Sequence, residues 1–570
     1  MKKETPTTPL TEAPETNGPD QPENPERRRL LGGLAAVGMG LALPGCASSV
    51  GSTAQHYRAI ARTAADDRFD AALRARVRHI VVIYAENRSF ANLYGQFPGV
   101  QHSIDAALAQ APAQLDRDGK TVLPYLPKIW GGLVPQAQQV GMTRYMIGQE
   151  DITHLPNRPF VVSDARGRPL PNAVITRDLI HRFYQNQMQI NGGRNDQFVA
   201  WADSGGLVMG HYRNSPQTLK LWNLAQQYTL CDNFFMAAFG GSWLNHIFLI
   251  SAQAPFYPNI ATSPAKDLVS VLEGDDPLGT RLKVAPGSKP SALDAPPKFV
   301  RDGLFTPDGY AVNTMAPPYQ PSFVAPAPDG DRRLADPANL RVMPPQTYAT
   351  IGDRLSAKGV DWAWYSGAWQ YALEHRDTGA SPDFQYHHQP FNYFANYAPG
   401  TAARQQYLRD AGMGNDASTN RFIADVDAGR LPAVAFYKPQ RDLNMHAGYA
   451  DIASGDRHIA NVIDHIRNGP QWSDTVIIMT HDENGGWWDP AAPPAGDRWG
   501  PGSRIPALVI APFAKKGYVD HTFYDTNSIL RFIDRVHALA PLDGVAARNR
   551  AFAERGEMPP GDLTGALDIG

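Results

Sequence analysis

The sequence predicts a three-layer α/β/α fold that carries a Pro- and Gly-rich insertion. Short apolar runs alternate with helical patterns, which is typical of a sheet covered by helices on both faces. Two β-branched runs, His79–Ala85 and Asp474–His481, are too short for a typical helix and are typical of buried parallel strands. The chain has 570 residues, of which 43% are hydrophobic, so it can bury a large core.

The elements follow one another along the chain. Residues 51–75 predict an amphipathic helix, Asp178–Met188 predicts a helix that ends at a Gly-Gly breaker, and Leu219–Cys231 predicts a helix and then a strand. The later helices and strands are predicted at 350–358, Val360–Tyr365, Ser418–Ala428, Ala433–Tyr437, Ala460–Asn468, Val476–Met479, Ala507–Ala511 and Thr526–Val536. Their regular alternation favours one sheet with crossover helices.

Residues 263–343 differ in composition from the segments on either side. Pro, Asp and Gly are frequent there and apolar runs are few. Such a stretch predicts a long insertion or a small cap subdomain, placed over or beside the pocket.

Residues 1–50 predict an export signal, which leaves 51–570 as the functional domain. The polar, Pro-rich Met1–Glu26 precedes Arg27-Arg28-Arg29 and a small-residue apolar stretch, as in twin-arginine signals. That stretch is too short for a transmembrane helix. We therefore expect recognition by the twin-arginine machinery and a periplasmic or secreted location, with Cys46 in an atypical lipobox as an alternative lipid anchor.

Charge and cysteine content exclude several classes of protein. The 53 basic and 56 acidic residues give a net charge of -3, so we expect no nucleic acid binding. The chain has two cysteines, and processing would remove or modify Cys46, so the mature chain would have no internal disulfide. Cys231 is interpreted as a small buried apolar residue.

Polar clusters follow two of the predicted strands, where open α/β sheets place their chemistry. Glu86 and Asn87 follow the first strand, and Asp482 and Glu483 follow the second. Three carboxylates at neighbouring strand ends repel one another unless a cation lies between them. Oxygen donors indicate one divalent metal ion. Its identity stays open among Mg, Ca, Mn, Fe and Zn. Each cluster alone is equally consistent with a turn or a helix cap.

A nucleophile and several histidines are candidates for the chemistry. Ser242 follows two glycines and precedes an apolar, helix-compatible stretch, which places it at a helix N-terminus suited to a phosphate. His181, predicted to lie on a helix, and the loop residues His387, His388 and His446 are candidates for binding phosphate or donating a proton. Taken alone, each of them is more often a structural residue than a catalytic one.

These motifs together resemble the bacterial acid phosphatase and phospholipase C phosphoesterase family. The matching segments run from about 78 to 536 and are Val82–Phe90, Gly240–His246, His387–Pro390, Asn444–Ala450, His481–Trp487 and Arg504–Pro512. The resemblance implies an alkaline-phosphatase-like fold. It also implies that Glu86, Asn87, Asp482, Glu483 and Ser242 hold the metal, that Ser242 attacks phosphorus, that His181 and His446 contact the phosphoryl group, and that His388 lies nearby. His154 is the alternative to His181.

We therefore expect an exported, metal-dependent acid phosphatase that hydrolyses phosphomonoesters through a phosphoserine. The Gly-Gly-Ser segment at 240–242 resembles the acid phosphatase branch, and the Thr followed by Pro-Asn-Arg of phospholipase C members is absent. Cleavage of phospholipids by a phospholipase C is the nearer alternative. A non-catalytic exported protein that binds a structural metal is the more distant one.

Overall fold

The computed structural model describes residues 64–110, 113–148, 152–375 and 383–569. The predicted signal, with Arg27–Arg29 and Cys46, lies outside these residues, as does the start of the helix predicted at 51–75. The strands are β1 His79–Ala85, β2 Val134–Val140, β3 Thr143–Ile147, β4 Phe160–Val161, β5 Gly210–His211, β6 Thr229–Cys231, β7 Phe234–Phe235, β8 Trp362–Gly367, β9 Leu408–Gly412, β10 Val434–Lys438, β11 Thr475–His481, β12 Ala507–Ile510, β13 Tyr518–Asp520 and β14 Tyr524–Asp525.

The helices alternate with the strands over most of the chain. They are α1 Ala64–Arg76, α2 Phe90–Tyr94, α3 Ile104–Gln110, α4 Phe183–Ile190, α5 Ser215–Thr218, α6 Lys220–Gln227, α7 Ser242–Ser251, α8 Ile351–Ala357, α9 Trp369–Glu374, α10 Ala402–Tyr407, α11 Arg421–Asp427, α12 Ile452–Asn468, α13 Asn527–His537 and α14 Asp543–Glu554. None of the described helices is both long and apolar enough to cross a membrane.

An eight-stranded mixed sheet forms the centre of the fold, with the order β13-β6-β12-β11-β1-β10-β8-β9. β1 is parallel to β11 on one side and to β10 on the other, whereas β12 is antiparallel to β11. Helices cover both faces: α7, α8, α13 and α14 form one contacting group, and α6, α11 and α12 form another. The predicted α/β/α fold is confirmed.

The core explains why the apolar runs form strands. Every residue of β10 and β11 is buried, and in β1 only His79 is partly exposed. Because helices cover each side of the sheet, a central strand is buried on both faces, and its sequence is therefore a continuous apolar run. These strands therefore place their carboxyl ends inside the protein, where any polar side chain requires a partner.

One predicted helix begins later than expected. Residues 178–182 are not helical, and α4 begins at Phe183 after the extended Arg182. The Ile180 N–H donates to Asp203 Oδ1 at 3.0 Å, a contact that anchors this segment to a loop distant in sequence. His181 consequently lies on a non-helical segment before α4, and the prediction that placed it on a helix is wrong.

Residues 263–343 contain a short 3-10 helix at Pro264–Leu268, isolated β-bridges and many turns. Phe305 and Met315 from this segment are part of the main apolar core. Val312, Asn313 and Thr314 line a cavity that also contains Ser242.

Candidate active site and metal centre

The two polar clusters lie side by side at the carboxyl edge of the sheet. Ala85 of β1 is paired with His481 of β11, so the residues that follow each strand are neighbours. Glu86, Asn87, Asp482 and Glu483 are all fully buried. The Asn87 N–H donates to Asp482 Oδ1 at 3.0 Å, which ties the clusters together.

A close backbone approach fixes the loop after each strand. Asn87 has a φ of 56°, in the left-handed region that Asn tolerates better than most residues. Gly485 has a φ of 61°, and a Cβ there would lie 2.4 Å from the Asn87 carbonyl oxygen. Only glycine therefore lets the second cluster approach the first this closely.

Ser242 is the first residue of α7 and lies among the oxygens of both clusters. Its Oγ is 3.1 Å from Asn87 Oδ1, 3.3 Å from Glu86 Oε2 and 3.4 Å from Glu483 Oε1. Gly240 precedes it with a φ of 94°, and a Cβ there would lie 2.6 Å from the Phe183 nitrogen. The close packing of this turn fixes where the helix begins and therefore where the hydroxyl lies.

His181 and His446 lie on the open side of the carboxylates, with ring centroids 5.6 Å apart. His181 Nε2 is 3.4 Å from Asn87 Nδ2 and 3.7 Å from Glu483 Oε1. His446 Nε2 is 4.0 Å from Glu86 Oε2. His154 is exposed and packs against Tyr125, so His181 is the histidine that the structure places beside the carboxylates.

His388 lies on the buried side, with Nε2 2.8 Å from Glu86 Oε1. Two further residues that we did not select from the sequence also surround Glu86. Lys438, at the end of β10, is fully buried and forms an ion pair with Glu86 Oε1. His246, one turn after Ser242, is 4.0 Å from Glu86 Oε1 and 3.7 Å from Asp482 Oδ2. Lys438 comes directly after the apolar run Ala433–Tyr437, but in the sequence this position alone does not distinguish it from an exposed lysine.

The three carboxylates have unequal pKa values. Burial opposes the charge on Glu86, but Lys438 and His388 hold its pKa well below the usual value. Burial, with the nearby charge of Glu86, raises the pKa of Asp482 to about 7. Burial also raises the pKa of Glu483 well above its usual value, against the influence of His181. Glu86 is thus held as an anion, whereas burial opposes ionisation of Asp482 and Glu483 unless a further cation lies beside them.

The pKa values of the three histidines are also unequal. Burial opposes the charge on His181, but Glu483 and Asp178 raise its pKa to about 9. Burial lowers the pKa of His446, and it lowers that of His388 to about 4. An ionised Glu483 therefore favours the cationic form of His181, whereas burial favours the neutral forms of His446 and His388.

The donor set fits a divalent cation. Asp482 Oδ2 is buried and has no hydrogen-bond partner among the described residues. Oxygens of Glu86, Asn87 and Glu483 surround the Ser242 hydroxyl at 3.1 to 3.4 Å. Carboxylate and amide oxygens are the ligands that hard divalent ions prefer. The ligand atoms of Glu86, His246 and His388 also lie within 4.8 Å of one another, so a metal that accepts nitrogen is compatible as well.

A cavity of about 660 Å³ opens onto these groups. Ser242, His181, His446 and His387 contribute to its lining. The other lining residues include Arg177, Asp178, Trp243, Asn313 and Tyr449, which are both polar and apolar. The cavity is large enough for a phosphate ester with a substantial alcohol group.

Comparisons with known proteins show which family the sequence matches. The model of the Phosphoesterase family matches residues 77–540. Phospholipase C B of Mycobacterium tuberculosis is 22% identical over 489 residues, which cover 80% of this chain and 72% of that protein. Hemolytic phospholipase C of Pseudomonas aeruginosa is 21% identical over 538 residues, which cover 86% of this chain and 56% of that longer protein.

Among solved structures, a protein of the alkaline phosphatase superfamily from Vibrio parahaemolyticus aligns with a TM-score of 0.27. The alignment has 11% identity and covers 60% of this chain and 65% of that one.

Proposed function

Because the chain belongs to the Phosphoesterase family, and thus hydrolyses phosphoric esters, we propose that it is a metal-dependent acid phosphatase. Its substrates would be phosphomonoesters, and the reaction would pass through a phosphoserine at Ser242. The observation that carries this proposal is the position of the Ser242 hydroxyl, which lies within 3.4 Å of oxygens from Glu86, Asn87 and Glu483. A hydroxyl among buried carboxylates at a helix N-terminus and at a cavity floor is suited to attack on phosphorus.

The centre would be formed by Glu86, Asn87, Asp482, Glu483 and Ser242 around one divalent ion. When bound, the ion would supply positive charge that lowers the pKa of the serine hydroxyl and stabilises the phosphoryl oxygens. Lys438 keeps Glu86 ionised without a proton. His388 would hold the same carboxylate from the buried side, and it is not among the residues that line the cavity.

The histidines on the cavity side would handle the phosphoryl group and the leaving alcohol. His181, with its pKa raised to about 9, would pair with a phosphoryl oxygen as a cation. The Ser242 hydroxyl would lose its proton to solvent, and its Oγ would bond to phosphorus as the bond from phosphorus to the ester oxygen breaks. The departing oxygen would take a proton from His446, and the water of the second step would return a proton to that ring. Water would then cleave the phosphoserine and release phosphate.

We expect phosphomonoesters to be cleaved much faster than phosphatidylcholine, with an optimum below neutral pH. Burial lowers the pKa of His446, so its protonated form is lost as the pH rises through a value below that of free histidine. A rate that depends on that proton falls over the same range. Initial rates on an aryl phosphate and on phosphatidylcholine vesicles, measured from pH 4 to 9, test both points.

Faster release of phosphocholine than of phosphate would place the protein with the second candidate function, phospholipase C. The observation that favours this candidate is the similarity to the phospholipases C of M. tuberculosis and P. aeruginosa. Quenching the reaction in acid and analysing the peptide that contains Ser242 by mass spectrometry gives a separate test of the phosphoserine.

Export by the twin-arginine route, to the periplasm or outside the cell, is part of the proposal. It rests on Arg27–Arg29 and on the small-residue stretch that follows them. We expect replacement of all three arginines by lysine to leave the protein in the cytoplasm with its signal attached, because lysine keeps the charge but not the guanidinium. Mature enzyme in the periplasm in wild-type amounts, measured by cell fractionation, would contradict this route.

A further inference from the structure

Arg88 is a buried arginine that connects two loops of the candidate site. It follows Asn87 directly and is 1% exposed. Its Nε and Nη2 donate to the Met445 carbonyl at 3.1 and 2.9 Å, and its Nη1 donates to Asn92 Oδ1 at 3.4 Å. None of the ion pairs within the described residues includes Arg88. A guanidinium buried against neutral acceptors is costly, so packing alone does not account for it.

The carbonyl that Arg88 holds belongs to a residue in an unfavourable backbone conformation. Met445 has a φ of 77°, which is uncommon for a residue with a long side chain. Such a conformation persists only when its surroundings enforce it. Gly455 of α12 packs against the other side, where a Cβ would lie 2.8 Å from the Met445 nitrogen. Met445 is thus held between Arg88 and α12.

The next residue along the chain is His446. Its N–H donates to Asn444 Oδ1 at 3.0 Å, and the Asn444 carbonyl accepts from Glu86 N–H at 2.9 Å. The direction of the chain at Met445 therefore determines where the His446 ring lies relative to Glu86. Arg88 and Glu86 hold this loop from the same short segment that supplies the predicted metal ligands.

We propose that Arg88 is a positioning residue that acts through His446. By holding the Met445 carbonyl with two hydrogen bonds, it fixes the left-handed backbone that turns His446 into the cavity. The inference rests on the proposed function only in assigning His446 to the phosphoryl group. The tyrosine and tryptophan rings of Tyr212 and Trp487, 5.9 and 5.5 Å from the guanidinium carbon, help to keep the Arg88 side chain in place.

A double-mutant cycle tests this role. We expect Arg88→Met to reduce kcat on an aryl phosphate by about 10- to 100-fold, a typical cost of misplacing a catalytic group. His446→Ala should cost at least as much. In the double variant, Arg88→Met should add little to the loss of kcat caused by His446→Ala, because the imidazole that Arg88 positions is already absent. If the fold loss of kcat in the double variant equals the product of the two single losses, the proposal is wrong.

Arg117→Met is the matched control. Arg117 is half-buried rather than fully buried, but like Arg88 it donates to backbone carbonyls, among them Ala200 at 3.1 Å, and these lie outside the loop of His446. Whatever fold loss of kcat Arg117→Met causes, that loss should multiply with the loss from His446→Ala in the double variant. Arg88→Lys keeps the charge but cannot donate two parallel hydrogen bonds, so we expect it to resemble Arg88→Met rather than the wild type.

Hydrogen exchange measured by mass spectrometry separates this inference from the proposed function. Arg88→Met and Arg88→Lys should raise exchange in peptides covering 443–449, and Arg117→Met should not. This holds even if the wild type cleaves no phosphomonoester. Unchanged exchange in this segment for the folded Arg88 variants, or an equal rise in Arg117→Met, would overturn the inference. If Arg88→Met does not fold, Arg88→Lys provides both measurements.

Discussion

Ser242→Ala is expected to abolish turnover while the protein keeps its fold and its metal. The substitution removes the one hydroxyl that lies among Glu86, Asn87 and Glu483, and alanine is a good first residue for α7. Loss of a covalent nucleophile should lower kcat by about 10³-fold or more, which corresponds to about 4 kcal/mol in activation free energy. Steady-state rates, elemental analysis and thermal unfolding should be measured on the same preparation.

Ser251→Ala is a suitable control for that experiment. Ser251 is the last residue of the same helix, is also buried, and bonds to the Ile247 carbonyl instead of the centre. It should retain nearly full activity. Near-normal activity in Ser242→Ala would remove this residue from the mechanism, whereas equal losses in both variants would indicate damage to α7.

Asp482→Ala is expected to remove both metal and activity and to lower stability. Asp482 Oδ1 accepts from the N–H groups of Asn87 and Glu483 at 3.0 and 2.8 Å, so alanine leaves two buried donors unpaired. It also removes a charged oxygen from the centre while Glu86 and Glu483 remain. Elemental analysis, activity and thermal unfolding report the three effects.

Asp482→Asn separates charge from hydrogen bonding at the same position. It keeps an oxygen acceptor for the two N–H groups and should therefore fold better than Asp482→Ala. The pKa of Asp482 in the folded protein is raised to about 7, so its stabilising proton is lost as the pH rises through that value. In metal-free protein the stability of the Asn variant relative to wild type should therefore rise between about pH 4, where a free carboxyl titrates, and about pH 7, and stay level above that. Full activity in chelated wild-type protein, shown to be free of metal, would contradict the requirement for a metal.

Much of the fold and of the site could be predicted because of one recurring pattern. β1, β10 and β11 are buried on both faces, and the polar residues directly after β1 and β11 stand out against them. The parallel pairing of β1 with β11 then brings these residues together. By contrast, Lys438 was missed, because a single lysine after a strand is ordinarily exposed, and only its ion pair with Glu86 distinguishes it.

Other features depend on contacts that are distant in sequence. The pattern over Asp178–Met188 is helical, yet residues 178–182 are not helical, and the Ile180 N–H binds Asp203, which is distant in sequence. β12 runs antiparallel to β11, and neither its direction nor the order of the eight strands follows from local composition. The hairpin of β2 and β3 was not predicted either; its strands are polar and lack strict alternation.

The pairing of β1 with β11 also has a consequence for synthesis and folding. Residues 79–85 pair with residues 475–481, so the middle of the sheet cannot close until most of the chain has left the ribosome. Contacts between such distant segments form slowly, because the entropy of closing the loop is lost before the contacts repay it. A nascent or truncated chain that ends before β11 would therefore have Glu86 but none of its acidic neighbours. Acquisition of the ion would mark completed folding rather than assist its early steps.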